Sequence, residues 1–211
     1  MKIVGSYGGI PTGKAGATHQ AFENLVIMRA IPNMTVIVPA DAVEMKHAVR
    51  AYVEYNGLVY LRCIRCETPV IFDKNYKFVW GKGVTLRDGK NITIVSTGMM
   101  TPIVLTVADI LAEEGISVRL IHLHTIKAID REILIKAAQE TKCILTVENH
   151  IIIGGLGGAV AEVLSENEPV LIKRIGIEDM FGESGSLDDL FCKYGLTAEN
   201  IVKEVKKIIN A

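Results

Sequence analysis

Strand-length apolar runs alternate with single helix-length amphipathic segments along almost the whole chain, and this rhythm constrains the fold more than any other feature. The first series has strands at residues 2–6, 35–38 and 58–62, with helices at 18–30 and from 41 to about 55. The second has strands at 92–96, 117–123, 143–147 and 170–175, with helices at 102–114, 130–141 and 158–165. Helices at 187–194 and 197–209 close the chain. One helix between successive strands carries the chain back to the same end of the sheet, so neighbouring strands run parallel. The expected fold is α/β, with two mostly parallel sheets.

Local signals mark the element ends. Thr18, Asp41 and Thr197 stand where helix caps belong, and Glu44 follows Asp41 at the capping-box interval. Residues 65–90 carry Pro69, Gly81, Gly83 and Gly89 and no sustained period, which predicts a connector with one or two short strands near 77–86. Three strands make a thin first sheet, so the chain is expected to begin inside a domain and to self-associate. Ala21, Leu25 and Met28 form an apolar stripe that is the expected contact.

Among 211 residues, 23 Lys and Arg face 24 Asp and Glu, a net charge of -1 that offers no electrostatic footprint for nucleic acid. Cys63, Cys66, Cys143 and Cys192 are too few for a disulfide scaffold. No apolar run approaches the ~20 residues of a membrane span, and the first residues lack the apolar core of a signal peptide. A reducing, cytoplasmic setting is expected, with no membrane partner.

Four motifs bear on chemistry. Gly8, Gly13 and Lys14 fit part of a nucleotide phosphate loop, but Ala15 replaces the hydroxyl residue that would hold Mg²⁺. The glycines read instead as a flexible loop at a strand's carboxyl end, a frequent ligand position in this architecture. His19 falls in the first turn expected for the 18–30 helix, where the dipole favours anions and a neutral imidazole. Cys63 and Cys66, placed in a strand, are expected on opposite faces as near-core thiols, and Arg65 stands just past the strand end where an anion would bind. Glu148-Asn149-His150 precedes Gly154, Gly155, Gly157 and Gly158 at an expected strand-to-helix junction. Adjacent Gly154 and Gly155 break the dinucleotide fingerprint, and close packing at a helix start explains them.

Together these segments resemble the transketolases. The likeness is carried by residues 16–20, by Arg29-Ala30-Ile31-Pro32-Asn33-Met34, and by Val38-Pro39-Ala40-Asp41 with Glu44. Ser96-Thr97-Gly98, Thr146-Val147-Glu148-Asn149-His150 with residues 154–157, and residues 179–185 complete it. It is most similar to the split form whose C-terminal section is a separate polypeptide. The resemblance implies the later part of a pyrimidine-binding domain at residues 1–69, a connector at 70–90 and the family's C-terminal domain at 91–211.

It also implies two-carbon ketol transfer between sugar phosphates, in the pentose phosphate pathway, by an assembly with an N-terminal section. That assembly would hold thiamine diphosphate and Mg²⁺, with neither bound by this chain alone, as a homodimer or heterotetramer. His19 matches the family's substrate-contacting histidine and Arg65 its phosphate-binding arginine. Tyr7 and Ala15 depart from a histidine and an aspartate usual there, and the catalytic glutamate lies upstream of the matching region. The isolated chain is therefore expected to be inactive. The alternatives are a non-catalytic dimerising relative, a beta-type subunit of a 2-oxoacid dehydrogenase, or a deoxyxylulose-5-phosphate synthase-like enzyme.

Overall fold

The computed structural model describes residues 1–210. Two sheets organise them. The first has strand order β1 (Lys2–Gly5), β3 (Leu58–Arg62), β2 (Met34–Ile37), β7 (Thr125–Lys127); the first three run parallel and β7 antiparallel to β2. The second has the order β4 (Val84–Arg87), β6 (Val118–His122), β5 (Ile92–Ser96), β8 (Cys143–Ile151), β9 (Leu171–Ile177). There β4 alone is antiparallel. The helices are α1 (Asn24–Ala30), α2 (Ala42–Glu54), α3 (Met100–Glu113), α4 (Arg131–Thr141), α5 (Leu156–Asn167), α6 (Leu187–Lys193) and α7 (Ala198–Ile209).

Several helices begin where a side-chain cap replaces a missing backbone partner. Asp41 accepts from the Glu44 amide at 2.7 Å, and Asp130, Ser186 and Thr197 do the same for α4, α6 and α7. Each such cap is worth about 1 kcal/mol.

Helix α7 buries Ile201, Val202 and Val205 in one core that also takes in Val104 and Leu111 of α3 and Leu120 of β6. A second core joins Leu134 and Ala137 of α4 and Val160 of α5 to Leu25 of α1 and Val36 of β2. The two sheets are thus fastened through shared apolar contacts.

Four sequence expectations change. The thin first sheet gains a fourth strand, β7, from a segment that follows the first strands of the second series. The 18–30 helix starts only at Asn24, because Gly9 bonds to the Ala21 carbonyl at 2.9 Å and Gln20 is extended. Thr18 therefore caps nothing. Leu25 is fully buried and Met28 packs beside it, so these two residues of the expected contact stripe are spent on the chain's own core. Strand β8 runs on to Ile151, so Glu148, Asn149 and His150 lie in the strand and not at its junction with a helix.

Candidate functional site

Beyond the carboxyl ends of β1 and β3 the backbone forms a ledge. Cys63 donates to the Gly5 carbonyl at 2.7 Å, Gly8 donates back to Cys63 at 2.9 Å, and Gly8 bridges Ala21 in parallel. Residues 63, 8 and 21 thus run side by side at roughly the 4.8 Å spacing of paired strands. Arg65, two residues past Cys63, is exposed, with its guanidinium 5.2 Å above the Tyr7 ring. His19 lies two residues before Ala21.

His19 closes a short 3₁₀ turn, Ala17–His19, five residues before α1 opens at Asn24. It is exposed, and its Nδ1 lies 2.9 Å from the Thr18 hydroxyl. The helix-dipole argument for this histidine therefore lapses. The preceding turn, Ile10–Ala15, is also 3₁₀, so no helix N-terminus follows Lys14 and the phosphate-loop geometry is absent.

Strand β3 ends at Arg62, which places both cysteines past it. Cys63 and Cys66 line one hollow with Pro39, Asp41 and Met45, instead of pointing to opposite faces. Burial pushes both thiols up, away from thiolate chemistry.

Two buried polar joints lie elsewhere among the described residues. In the first, Glu148 receives the Leu156 and Gly157 amides at 2.6 and 2.8 Å and so caps α5. Burial pushes its carboxyl up to about 7, against the pull of these two amides and of Arg62. Arg62, itself drawn down by burial to about 10, donates to the Asn149 carbonyl at 2.8 Å. The Asn149 side chain accepts from the Ile10 amide at 3.1 Å. His150 accepts the Leu25 amide on Nε2 at 3.1 Å, and its Nδ1 donates to the Ile151 carbonyl at 2.7 Å. Burial, then Arg62, lowers this imidazole to about 3, so it stays neutral.

The second joint pairs Glu44 of α2 with His122 of β6. Glu44 also accepts from the Ala40 amide at 2.7 Å and from the Tyr76 hydroxyl. Burial alone would raise Glu44, but the His122 charge and hydrogen bond outweigh it and hold the carboxyl below its ordinary value. His122 passes contact on to Thr101 at 2.8 Å. Sequence reading did not assign Asn149 or Gln20 a role. Polar residues inside an otherwise apolar strand, as at 148–150, were the available signal for the first of them.

Comparison with known proteins matches this architecture. Models of the transketolase pyrimidine-binding domain and the transketolase C-terminal domain fit residues 1–70 and 81–201. A Methanocaldococcus jannaschii protein named "Putative transketolase C-terminal section" is 46% identical over 208 residues, which are 97% of this chain and 65% of that protein. A 6-deoxy-6-sulfo-D-fructose transketolase subunit of Clostridium sp. is 40% identical, over 99% of this chain and 65% of its own length. The chain thus spans just under two thirds of these relatives. A solved structure named "Split gene transketolase, inactive beta4 tetramer" superposes with a TM-score of 0.93 at 43% identity, covering 99% of this chain and 67% of that one. With both family models matched in order, the chain belongs to the transketolase family.

Proposed function

We propose that this chain serves as the C-terminal section of a two-part transketolase, moving a two-carbon ketol unit between sugar phosphates together with an N-terminal section. The observation that carries the reading is the ledge: the Gly8 backbone lies between the segments bearing Arg65 and His19 at one end of the first sheet. Open α/β sheets bind ligands at that end. Arg65 offers a planar pair of N–H donors to a sugar phosphate. His19 offers an imidazole to the sugar hydroxyls beside the reacting carbons, where it holds or moves a proton.

The family's thiamine diphosphate supplies the carbanion chemistry when bound. Among the described residues no three His, Cys, Asp or Glu side chains converge on a metal-sized point, and the reading assigns thiamine diphosphate and Mg²⁺ to the assembled enzyme, completed by the N-terminal section. The solved relative, by its name an inactive beta4 tetramer, supports a self-associating chain that is silent alone.

The test is reconstitution. The purified chain, mixed with a cofactor-loaded N-terminal section from the same source, should transfer ketol units between a ketose phosphate and an aldose phosphate. The chain alone should not. Turnover by the chain alone, or none in a stable complex of the two, would refute the reading.

A further inference from the structure

We infer that Gln20 and Asn149 are positioning residues, through which the C-terminal half of the chain fixes the loop that carries His19. The inference rests on the functional reading above only for its catalytic consequence. Its structural content stands on the loop itself.

The loop from Gly8 to His19 has little regular structure of its own. It consists of two 3₁₀ turns, with positive φ at Gly9, Gly13 and Gly16. Beyond the bonds of Gly8 to Cys63 and of Gly9 to Ala21, its hold comes from the C-terminal half. At its start, Ile10 donates to Asn149 Oδ1 at 3.1 Å, while Asn149 Nδ2 is turned to the Met99 sulfur at 3.0 Å. That second contact fixes which way the amide faces. Gly9 lies so close to the same amide that a Cβ there would overlap it.

At its end, Gln20 donates from Nε2 to the Glu183 carbonyl at 3.0 Å. A Cβ on Gly182 would overlap the Gln20 amide, and one on Gly16 would overlap the Ser184 hydroxyl. A Cβ on Gly13 would lie 3.2 Å from the Gly185 carbonyl. Each of these close approaches pairs the loop with residue 149 or with residues 182–185. Both partners belong to the second sheet's part of the chain: residue 149 lies in β8, and residues 182–185 follow β9.

Gln20 and Asn149 are 8% and 2% exposed. Both side chains are engaged with the loop or its neighbours, so their expected effect on turnover passes through the loop. His19 immediately precedes Gln20 in the chain, so a shift of the Gln20 backbone is a shift of the imidazole. Misplacement by about 1 Å can cost roughly 100-fold in rate.

The experiment uses the full chain with Gln20→Met, which keeps the volume and removes the donor. Amide hydrogen exchange at residues 11–19 should quicken roughly 3–10-fold, the loss of one ordinary hydrogen bond, while the urea midpoint of the chain stays in place. Asn149→Asp, which keeps the acceptor for Ile10, should loosen the loop less than Asn149→Leu. If Asn149→Leu does not fold, Gln20→Met carries the test.

In the reconstituted enzyme, Gln20→Met should lower kcat roughly 10–100-fold and leave the KM for phosphorylated sugars unchanged. Unchanged exchange at 11–19, or a uniform rise across the chain with a falling midpoint, would overturn the inference. So would intact kcat in Gln20→Met where His19→Ala abolishes turnover. If His19→Ala is itself silent, the functional reading fails, and the exchange result alone decides whether the C-terminal half holds the loop.

Discussion

Glu44 Oε2 and His122 Nε2 meet 2.8 Å apart, both side chains wholly buried, at the joint between α2 and the second sheet. Neither is adjacent in sequence to any candidate site residue. Glu44 nonetheless gathers His122, the Ala40 amide and the Tyr76 hydroxyl on one carboxylate. Glu44→Ala strands all three partners. Removing one member of a buried pair costs about 3–5 kcal/mol, so urea unfolding should show a loss of that size. Glu44→Gln keeps an acceptor and should lose less. Equal losses in the two variants would show that packing, not the polar joint, matters at this position.

Acid should weaken the fold through two buried histidines. Burial lowers His124 to about 4 and His150 to about 3. A histidine with a depressed folded pKa lends stability that is complete above its unfolded value near 6.5 and is lost as the pH falls through the folded one. At His124 this amounts to about 3 kcal/mol between pH 6.5 and 4. Glu148 acts in the opposite sense. Its carboxyl is raised by burial to about 7, so its contribution is full below about pH 4.3 and fades as the pH rises through 7. Two histidines outweigh one carboxyl, and the net effect is acid destabilisation. The urea midpoint should fall steadily from pH 6.5 to 4, and the ring resonances of both histidines should stay at their neutral positions down to pH 5. Titration of either ring near 6.5 would sink the argument.

The glycines after β8 separate into two kinds. Gly155 faces the Glu148 carboxylate so closely that a Cβ would overlap Oε2. Gly155→Ala must displace the group that caps α5, and should cost about 2–4 kcal/mol from overpacking and the lost cap. Gly158 sits inside α5, where an added methyl would find its nearest neighbour, the Arg29 guanidinium, 3.6 Å away. Gly158→Ala should be neutral or stabilise by up to about 1 kcal/mol, the helix preference of alanine over glycine. Thermal unfolding of the two variants distinguishes them, and equal shifts would contradict the assignment.

How much of this was legible in the sequence depends on where each element gets its partners. Asp41 and Thr197 cap their helices through bonds three residues away, and such short-range spacing can be read directly. The other oxygen of Asp41 accepts the Ile71 and Phe72 amides, a tertiary contact that no local pattern carries. Thr18 has the look of a cap, but it lies in the Ala17–His19 3₁₀ turn, and the bridge between Gly8 and Ala21 delays α1 to Asn24. Strand β7 is three residues long, too short for a period, and exists because β2 has a free edge to pair with. Strand β8 continues through three polar residues because Ile10, Leu25 and the start of α5 lie close enough to satisfy them. Arg65 and His19 were proposed from their places past a strand end and beside a glycine loop and from family likeness, whereas the loop contacts of Gln20 and Asn149 emerge when the loop's partners are traced in space.

Tyr7 and Arg65 give the last prediction. The Arg65 guanidinium lies 5.2 Å over the Tyr7 ring, and Tyr7 is half exposed at the start of the glycine loop. The ring face attracts the cation and limits the directions the long side chain can take. On the functional reading above, Arg65 meets the sugar phosphate, so the ring is a platform that pre-orients it. Arg65→Ala should raise the KM for phosphorylated sugars in the reconstituted enzyme by roughly 10–100-fold, the loss of a charge-assisted contact, with a smaller effect on kcat. Tyr7→Ala leaves the charge but removes the platform, and should raise that KM only about 2–5-fold. Tyr7→Phe keeps the ring face and should behave like the parent. The same variants assayed with a sugar lacking its phosphate should show no difference. A Tyr7→Phe defect as large as that of Tyr7→Ala would shift the role from the ring face to the tyrosine hydroxyl.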